Sequence, residues 1–167
     1  NKLKYYDDSV EVMCDENGKP IDVYQKEGKE ANWLIEEFML LANKAVAELV
    51  SKEMKLKDPI FVYRIHENPN SEKIDAIRNI AGIFGHQLGE TNTPKNISTT
   101  LNKLLKDVKG KPEEGVLEML ALRSMARARY STENVGHYGL AFKYYTHFTS
   151  PIRRYPDMMV HRLLATY

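Results

Sequence analysis

Tyr144-Tyr145-Thr146-His147-Phe148-Thr149-Ser150-Pro151-Ile152-Arg153-Arg154-Tyr155-Pro156-Asp157, running on through Met158-Met159-Val160-His161-Arg162, crowds aromatic, hydroxyl and cationic side chains into a place where a helix should begin. Ser150 suits the N-cap, and Pro151 suits the first helical position, where its missing N–H would have been unpaired anyway. A helix starting there presents open backbone N–H groups and the positive end of the macrodipole, which draw an anion. Arg153 and Arg154 add two planar guanidinium forks whose donor geometry matches phosphate oxygens. Two surface arginines on an amphipathic helix, paired with acidic neighbours, would give the same composition, and these residues alone leave both readings open.

The rest of the chain sets the context for that stretch. Its 167 residues make one domain, or a large part of one, the default, with enough length to bury a real core. With 28% charged and 43% apolar residues it falls among ordinary globular chains rather than disordered ones. No apolar run approaches the roughly 20 residues of a membrane span, and residues 1–20 lack a signal-peptide core. A single cysteine, Cys14, excludes an internal disulfide and fits a reducing, cytoplasmic setting; a small apolar strand residue is the simplest role for it. The net charge of +1 conceals an asymmetry. Between positions 123 and 162 lie seven Arg or Lys and only two acids, Glu133 and Asp157, which is +5 and leaves −4 elsewhere. A polyanion site requires such a local excess, although several solvated helix faces would also produce it.

Upstream, Ser9 to Cys14 and Ile21 to Tyr24 read as half-buried strands joined through Asp15-Glu16-Asn17-Gly18, a strong hairpin turn signal. Asn32 then caps a helix reaching about Met54, with Ile35, Phe38, Met39, Ala42, Ala45 or Val46, and Leu49 as its core stripe. Glu36 and Asn43, seven residues apart, share a flank of that stripe. There they could bind sugar hydroxyls, or Glu36 could favour the helix dipole while Asn43 faces water. Asp58-Pro59 breaks the chain before a strand over 60–66, on which His66 reads as a satisfied edge or core histidine. Ser71 opens a helix to about Gly85, a shorter one spans Ser98 to Val108, and a third runs from Glu113-Glu114 to about Arg129. Residues 130–143 form a loop and strand whose two glycines around His137-Tyr138 suggest close backbone approach. No repeat, low-complexity tract or flexible linker is present. The expected class is α+β, mostly helical, with an N-terminal hairpin and a few further strands.

Five stretches in order resemble the ribonuclease II/ribonuclease R family. They are Asp15 to Pro20, Ile35 to Asn43, Tyr63 to Glu67 with Pro69, Gly136 to Ala141, and Tyr145 to Asp157 with Val160-His161-Arg162. The last, thirteen residues long, is the most specific. The resemblance implies a processive, hydrolytic exoribonuclease that works from the 3′ end of single-stranded RNA, releases nucleoside 5′-monophosphates and depends on divalent metal, normally Mg2+. It implies that Arg153 contacts the scissile phosphate and supports catalysis. His147, Thr149, Ser150, Arg154 and Tyr155 are then its neighbours in RNA binding. Glu36 or Glu37, with Asn43, would lie along the RNA channel, the glutamate seating the 3′-terminal nucleotide where a 2′-hydroxyl separates RNA from DNA.

One departure qualifies the resemblance. The family's metal-binding aspartates form a cluster, whereas Asp7-Asp8 would point to opposite faces of a strand, Asp15 sits in a turn, and Asp58, Asp75 and Asp157 are scattered. The cold-shock and S1 RNA-binding domains have no counterpart either. The chain therefore reads as roughly the C-terminal half of the catalytic domain, whose partner is the remainder of that domain. It is expected to bind no metal of its own and to be inactive alone. Two other readings compete with this one: a non-catalytic RNA-binding module, and a helical interaction domain with an incidental basic patch.

Overall fold

The structure is a computed structural model that describes residues 10–25, 29–54 and 59–167. The expectations for Asn1 to Asp8 and for Asp58 fall outside those residues. The chain divides into two compact units; among the described residues the smaller comprises 10–25 and 29–41, and the larger comprises 42–54 and 59–167.

In the smaller unit the hairpin forms as its turn sequence dictates. Strands β1 (Val10–Cys14) and β2 (Pro20–Gln25) pair antiparallel, with an irregularity between Met13 and Cys14. Asp15 Oδ1 accepts from the N–H groups of Asn17 (2.9 Å) and Lys19 (2.8 Å). Gly18 takes φ +79°, which costs a glycine little. Half-burial does not follow, because Val12, Met13, Ile21 and Val23 are all exposed. Helix α1 (Glu30–Glu48) begins two residues before the expected cap. Asn32 lies inside its first turn and reaches back, its Oδ1 accepting from Lys29 N–H at 3.2 Å, which is one half of a capping box.

The stripe expected to be core on α1 needs correcting. Ile35, Phe38 and Leu49 are exposed, and the buried positions are Asn43, Ala47 and, just past the helix, Val50. That face belongs to the larger unit, where Ala47 and Val50 pack with Phe61, Tyr63, Ile65 and Val160. A π-helical turn, Leu49–Glu53, ends the helix; Met54 N–H donates to Leu49 O at 2.9 Å.

Strand β3 (Tyr63–Ile65) is the spine of the larger unit. Tyr63 and Ile65 are buried while Arg64 between them is not, the period-two pattern of a half-buried strand. On one edge it pairs with β4 (Arg129–Ser131), Arg64 standing opposite Tyr130. On the other edge Arg64 N–H donates to Tyr145 O (2.9 Å), and Thr146 Oγ1 donates to Val62 O (2.6 Å). Three helices form a second core: α2 (Ser71–Ile83), α3 (Pro94–Val108) and α4 (Glu114–Ser124), meeting through Ile74, Ile77, Leu101, Leu104, Leu117 and Ala121. The caps differ from the sequence expectation. Asn70 rather than Ser71 caps α2, accepting from Lys73 N–H at 3.2 Å, and Thr93 caps α3 ahead of Pro94. The third helix stops at Ser124, whose buried hydroxyl donates back to Ala121 O, and the chain leaves extended toward β4 rather than remaining helical to Arg129.

The glycines near His137 do mark close approach. His66 Nδ1 accepts from Gly139 N–H (2.9 Å) while its Nε2–H donates to Ala126 O (2.7 Å), so both ring nitrogens are spent inside the fold. A Cβ on Gly139 would sit 2.8 Å from His66 Nδ1. Gly139→Ala should therefore cost about 1–3 kcal/mol in urea unfolding, through crowding and loss of that bond. Gly82→Ala, in α2 with nothing within 4 Å of the added carbon, should instead stabilise by about 0.5–1 kcal/mol.

Candidate nucleic-acid interface

The helix expected to start at Ser150 starts later. Residues 151–153 form a turn, and α5 (Tyr155–Thr166) begins with Pro156 in its first turn and Arg154 at its N-cap. The reason is Asp157. Its side chain is fully buried, and Oδ1 accepts from Ser150 N–H (2.8 Å) and from Arg154 Nη2 (2.7 Å). Ser150 O in turn accepts from the N–H groups of Arg153 (3.3 Å) and Arg154 (3.1 Å). The backbone anion trap that a helix start would have offered at Thr149-Ser150 is thus closed from within.

Asn43 closes the other half. Its side chain is 3% exposed; Oδ1 accepts from Phe148 N–H (2.9 Å) and Thr149 N–H (3.2 Å), and Nδ2 donates to Tyr145 OH (3.1 Å). It does not face water. Phe148 is further pinned by its ring stacked on His161 (centroids 4.1 Å apart) and by its carbonyl, which pairs with His161 Nε2 at 3.0 Å. Side chains from two helices therefore hold an irregular loop along its length.

Held in this way, the loop turns a few side chains outward. The Arg153 side chain is exposed and makes no hydrogen bond or ion pair among the described residues, only its backbone N–H being bound, to Ser150 O; Tyr155 is also exposed. Arg154 is largely committed to Asp157, and its Nε, like Thr149 Oγ1 and Asp157 Oδ2, is buried with no partner among the described residues. His147 stands beside this group, its Nδ1 2.7 Å from Tyr130 OH. Burial first, then the positive charges of Arg154 and Arg64, push its pKa down to about 4, against a smaller opposing pull from Asp157. His137, whose Nδ1 accepts from Leu140 N–H, is likewise held down to about 4, by burial and then by His66 and Arg64. The rings of His137 and His147 both make T-shaped contacts with Tyr145, with centroids 5.3 and 5.8 Å from its own.

The structure therefore brings His147, Thr149, Ser150, Arg153 and Arg154 onto one loop, with Tyr155 at the first position of α5 and Asn43 beneath the loop. Glu36 and Glu37 lie on the part of α1 that belongs to the smaller unit. Missed were Asp157, read as a scattered acid although its spacing of three from Arg154 is that of a helical ion pair, and Arg64 and Tyr130, which only the β3–β4 register brings together.

These residues do not fit a divalent cation. No three His, Cys, Asp or Glu side chains gather among the described residues, and Asp157 is already neutralised by Arg154. What the loop offers is a cationic, donor-rich surface suited to an anion.

Two consequences can be measured. Asn43→Ala leaves two loop N–H groups without an acceptor and should cost about 3 kcal/mol in urea unfolding, whereas Asn43→Asp, which keeps the acceptor, should cost less. For His137 and His147 the unfolded chain, titrating near its ordinary 6.5, binds more protons than the fold between about 4 and 6.5. The stability they carry is full above about 6.5 and lost as pH falls toward 4, and imidazole resonances followed through an NMR titration should both report midpoints near 4.

Residues 2–167 match the RNB domain. Over 157 residues the chain is 44% identical to ribonuclease R of Aquifex aeolicus, covering 93% of this chain and 21% of that protein. The structure superposes on Mycoplasma genitalium RNase R in complex with ribose-methylated single-stranded RNA, with a TM-score of 0.82 and 28% identity over 99% of this chain and 25% of that one. It also resembles yeast Ssd1, a pseudonuclease, with a TM-score of 0.63 and 31% identity over 80% of this chain and 16% of the other. The chain thus spans about a fifth of the length of the curated relatives it matches. From residue 2 to its last residue, with the Arg153 loop inside the match, this chain belongs to the RNB domain family.

Proposed function

We propose that this chain supplies the phosphate and 3′-nucleotide contacts of a processive 3′→5′ hydrolytic exoribonuclease that releases nucleoside 5′-monophosphates from single-stranded RNA. The observation that carries the reading is Arg153: an exposed guanidinium, unpaired among the described residues, on a loop held by Asn43 and Asp157. With the loop backbone fixed in advance, only the Arg153 side chain remains to be ordered on meeting a phosphate, and the cation is most useful where charge develops on nonbridging oxygens during in-line attack. His147 and Tyr155 are further polar groups turned toward the strand, while Thr149, Ser150 and Arg154 stand behind them as part of the loop. Asn43, its amide consumed inside the fold, serves by setting the loop rather than by reading the sugar. Glu36 or Glu37 seats the terminal ribose.

Bound Mg2+ would supply the activated water and steady the leaving oxygen. Its ligands are assigned to residues other than those described, in the remainder of the catalytic domain. That remainder would also cover the exposed apolar side chains of α1, including Trp33, Leu34, Ile35, Phe38 and Leu41. A cytoplasmic setting suits the exposed Cys14 thiol.

The test is hydrolysis of a labelled single strand, with Mg2+, by the full-length protein and by this chain alone. The full-length protein should release nucleoside monophosphates and this chain should not. Arg153→Ala in the full-length protein should lower kcat/KM by about 10²–10³-fold. Likeness to a pseudonuclease favours one second reading, a module that holds RNA without cutting it. Salt-dependent RNA binding by the full-length protein with no nucleotide released would establish that reading instead.

A further inference from the structure

Tyr130 lies outside the loop, on β4, yet it reaches the loop. β3 runs between β4 and the Tyr145 segment, so Tyr130, Arg64 and His147 come from three neighbouring lengths of chain. The Arg64 guanidinium lies over the Tyr130 ring, 4.7 Å from its centroid, which fixes the ring's plane. The phenol oxygen then meets His147 Nδ1 at 2.7 Å, with the two rings edge to face at 5.6 Å. The opposite nitrogen, His147 Nε2, has no hydrogen-bond partner among the described residues.

Either atom of the Tyr130–His147 pair could hold the proton, and chemistry selects one. A phenol is a better donor than an imidazole N–H, and an imidazole nitrogen is a better acceptor than a phenol oxygen. The pairing with Tyr130 O–H as donor is therefore the stronger one, and it places the ring proton on Nε2. Arg64, Arg153 and Arg154 all act on this ring and oppose a positive charge on it.

We propose that Tyr130, steadied by Arg64, is a positioning residue that locks His147 as the neutral Nε2–H tautomer, so that Nε2–H donates to an oxygen of the RNA strand beside Arg153. The arginines attract the polyanion at any geometry, whereas a neutral N–H in a fixed direction adds orientation without adding charge. The inference rests on the RNA reading of the Arg153 loop.

The experiment uses the full-length protein with ¹⁵N-labelled histidine. In the wild type, His147 should show a protonated Nε2 and a bare Nδ1, and Tyr130→Phe, which removes only the hydroxyl, should mix the two tautomers. The same change should lower kcat/KM on single-stranded RNA about tenfold, the scale of one donor bond to a charged group. His147→Gln puts an amide N–H near the Nε2 position without help from Tyr130, so adding Tyr130→Phe to it should cause no further loss. A sheet contact of purely structural importance would instead make the two losses multiply. A proton on Nδ1 in the wild type, or wild-type RNA turnover by Tyr130→Phe while Arg153→Ala is crippled, would overturn this inference and leave the RNA reading standing. If Arg153→Ala were also without effect, the RNA reading itself would fall.

Discussion

Asn43 is one amide serving three groups that are distant in sequence. Its Oδ1 draws in the N–H groups of Phe148 and Thr149, and its Nδ2 holds the hydroxyl of Tyr145. Without it, the segment between β3 and α5 would have backbone donors in a half-buried place with nothing to receive them, which a fold tolerates poorly. Asp157 performs the matching task one residue on, receiving Ser150 N–H and the Arg154 guanidinium. The two side chains convert a stretch with no regular hydrogen bonding into a rigid platform, and the backbone from which Arg153 projects depends on both.

Such a platform separates structural polarity from functional polarity. Of the hydrophilic groups in the 145–157 stretch, several face inward and hold its shape: the Thr146 hydroxyl, the Tyr145 hydroxyl, the Asp157 carboxylate and part of Arg154. Those turned outward are Arg153, Tyr155 and one edge of His147. The motif's chemical richness is therefore divided between holding a loop still and presenting a cation, and only the second task concerns a ligand.

This division was the part the sequence concealed. Local rules worked where the cause was local: Asp15-Glu16-Asn17-Gly18 makes the hairpin because Asp15 binds two N–H groups within four residues and Gly18 accepts a positive φ. They also identified a final helix, although with its start at Ser150-Pro151, and glycines pressed against something near His137. They failed where a distant partner decided the matter. Ser150-Pro151 has every local mark of a helix start, but the buried Asp157 takes the Ser150 N–H and moves the start to Tyr155-Pro156. Asn43 was open to two readings, a sugar-binding amide or a solvated flank residue, and its true partners lie more than a hundred residues ahead. Arg64 and Tyr130 could not be associated until β3 and β4 were paired. The family resemblance pointed to the 145–157 stretch as the candidate site, and the side-chain contacts show which of its polar groups hold the loop and which face outward.

The hold on residues 148–150 has a counterpart in solvent exchange. Amide protons in an irregular loop ordinarily trade with water quickly, because transient opening there breaks little else. Here each of the three is bound to a side chain anchored in a helix, Asn43 for two and Asp157 for the third. Releasing any one of them requires that helix to shift or a buried carboxylate to lose its partner. Deuterium uptake at 148–150 therefore follows the opening of α1 and α5, so that a segment without regular secondary structure exchanges on the slow timescale of the helices that hold it.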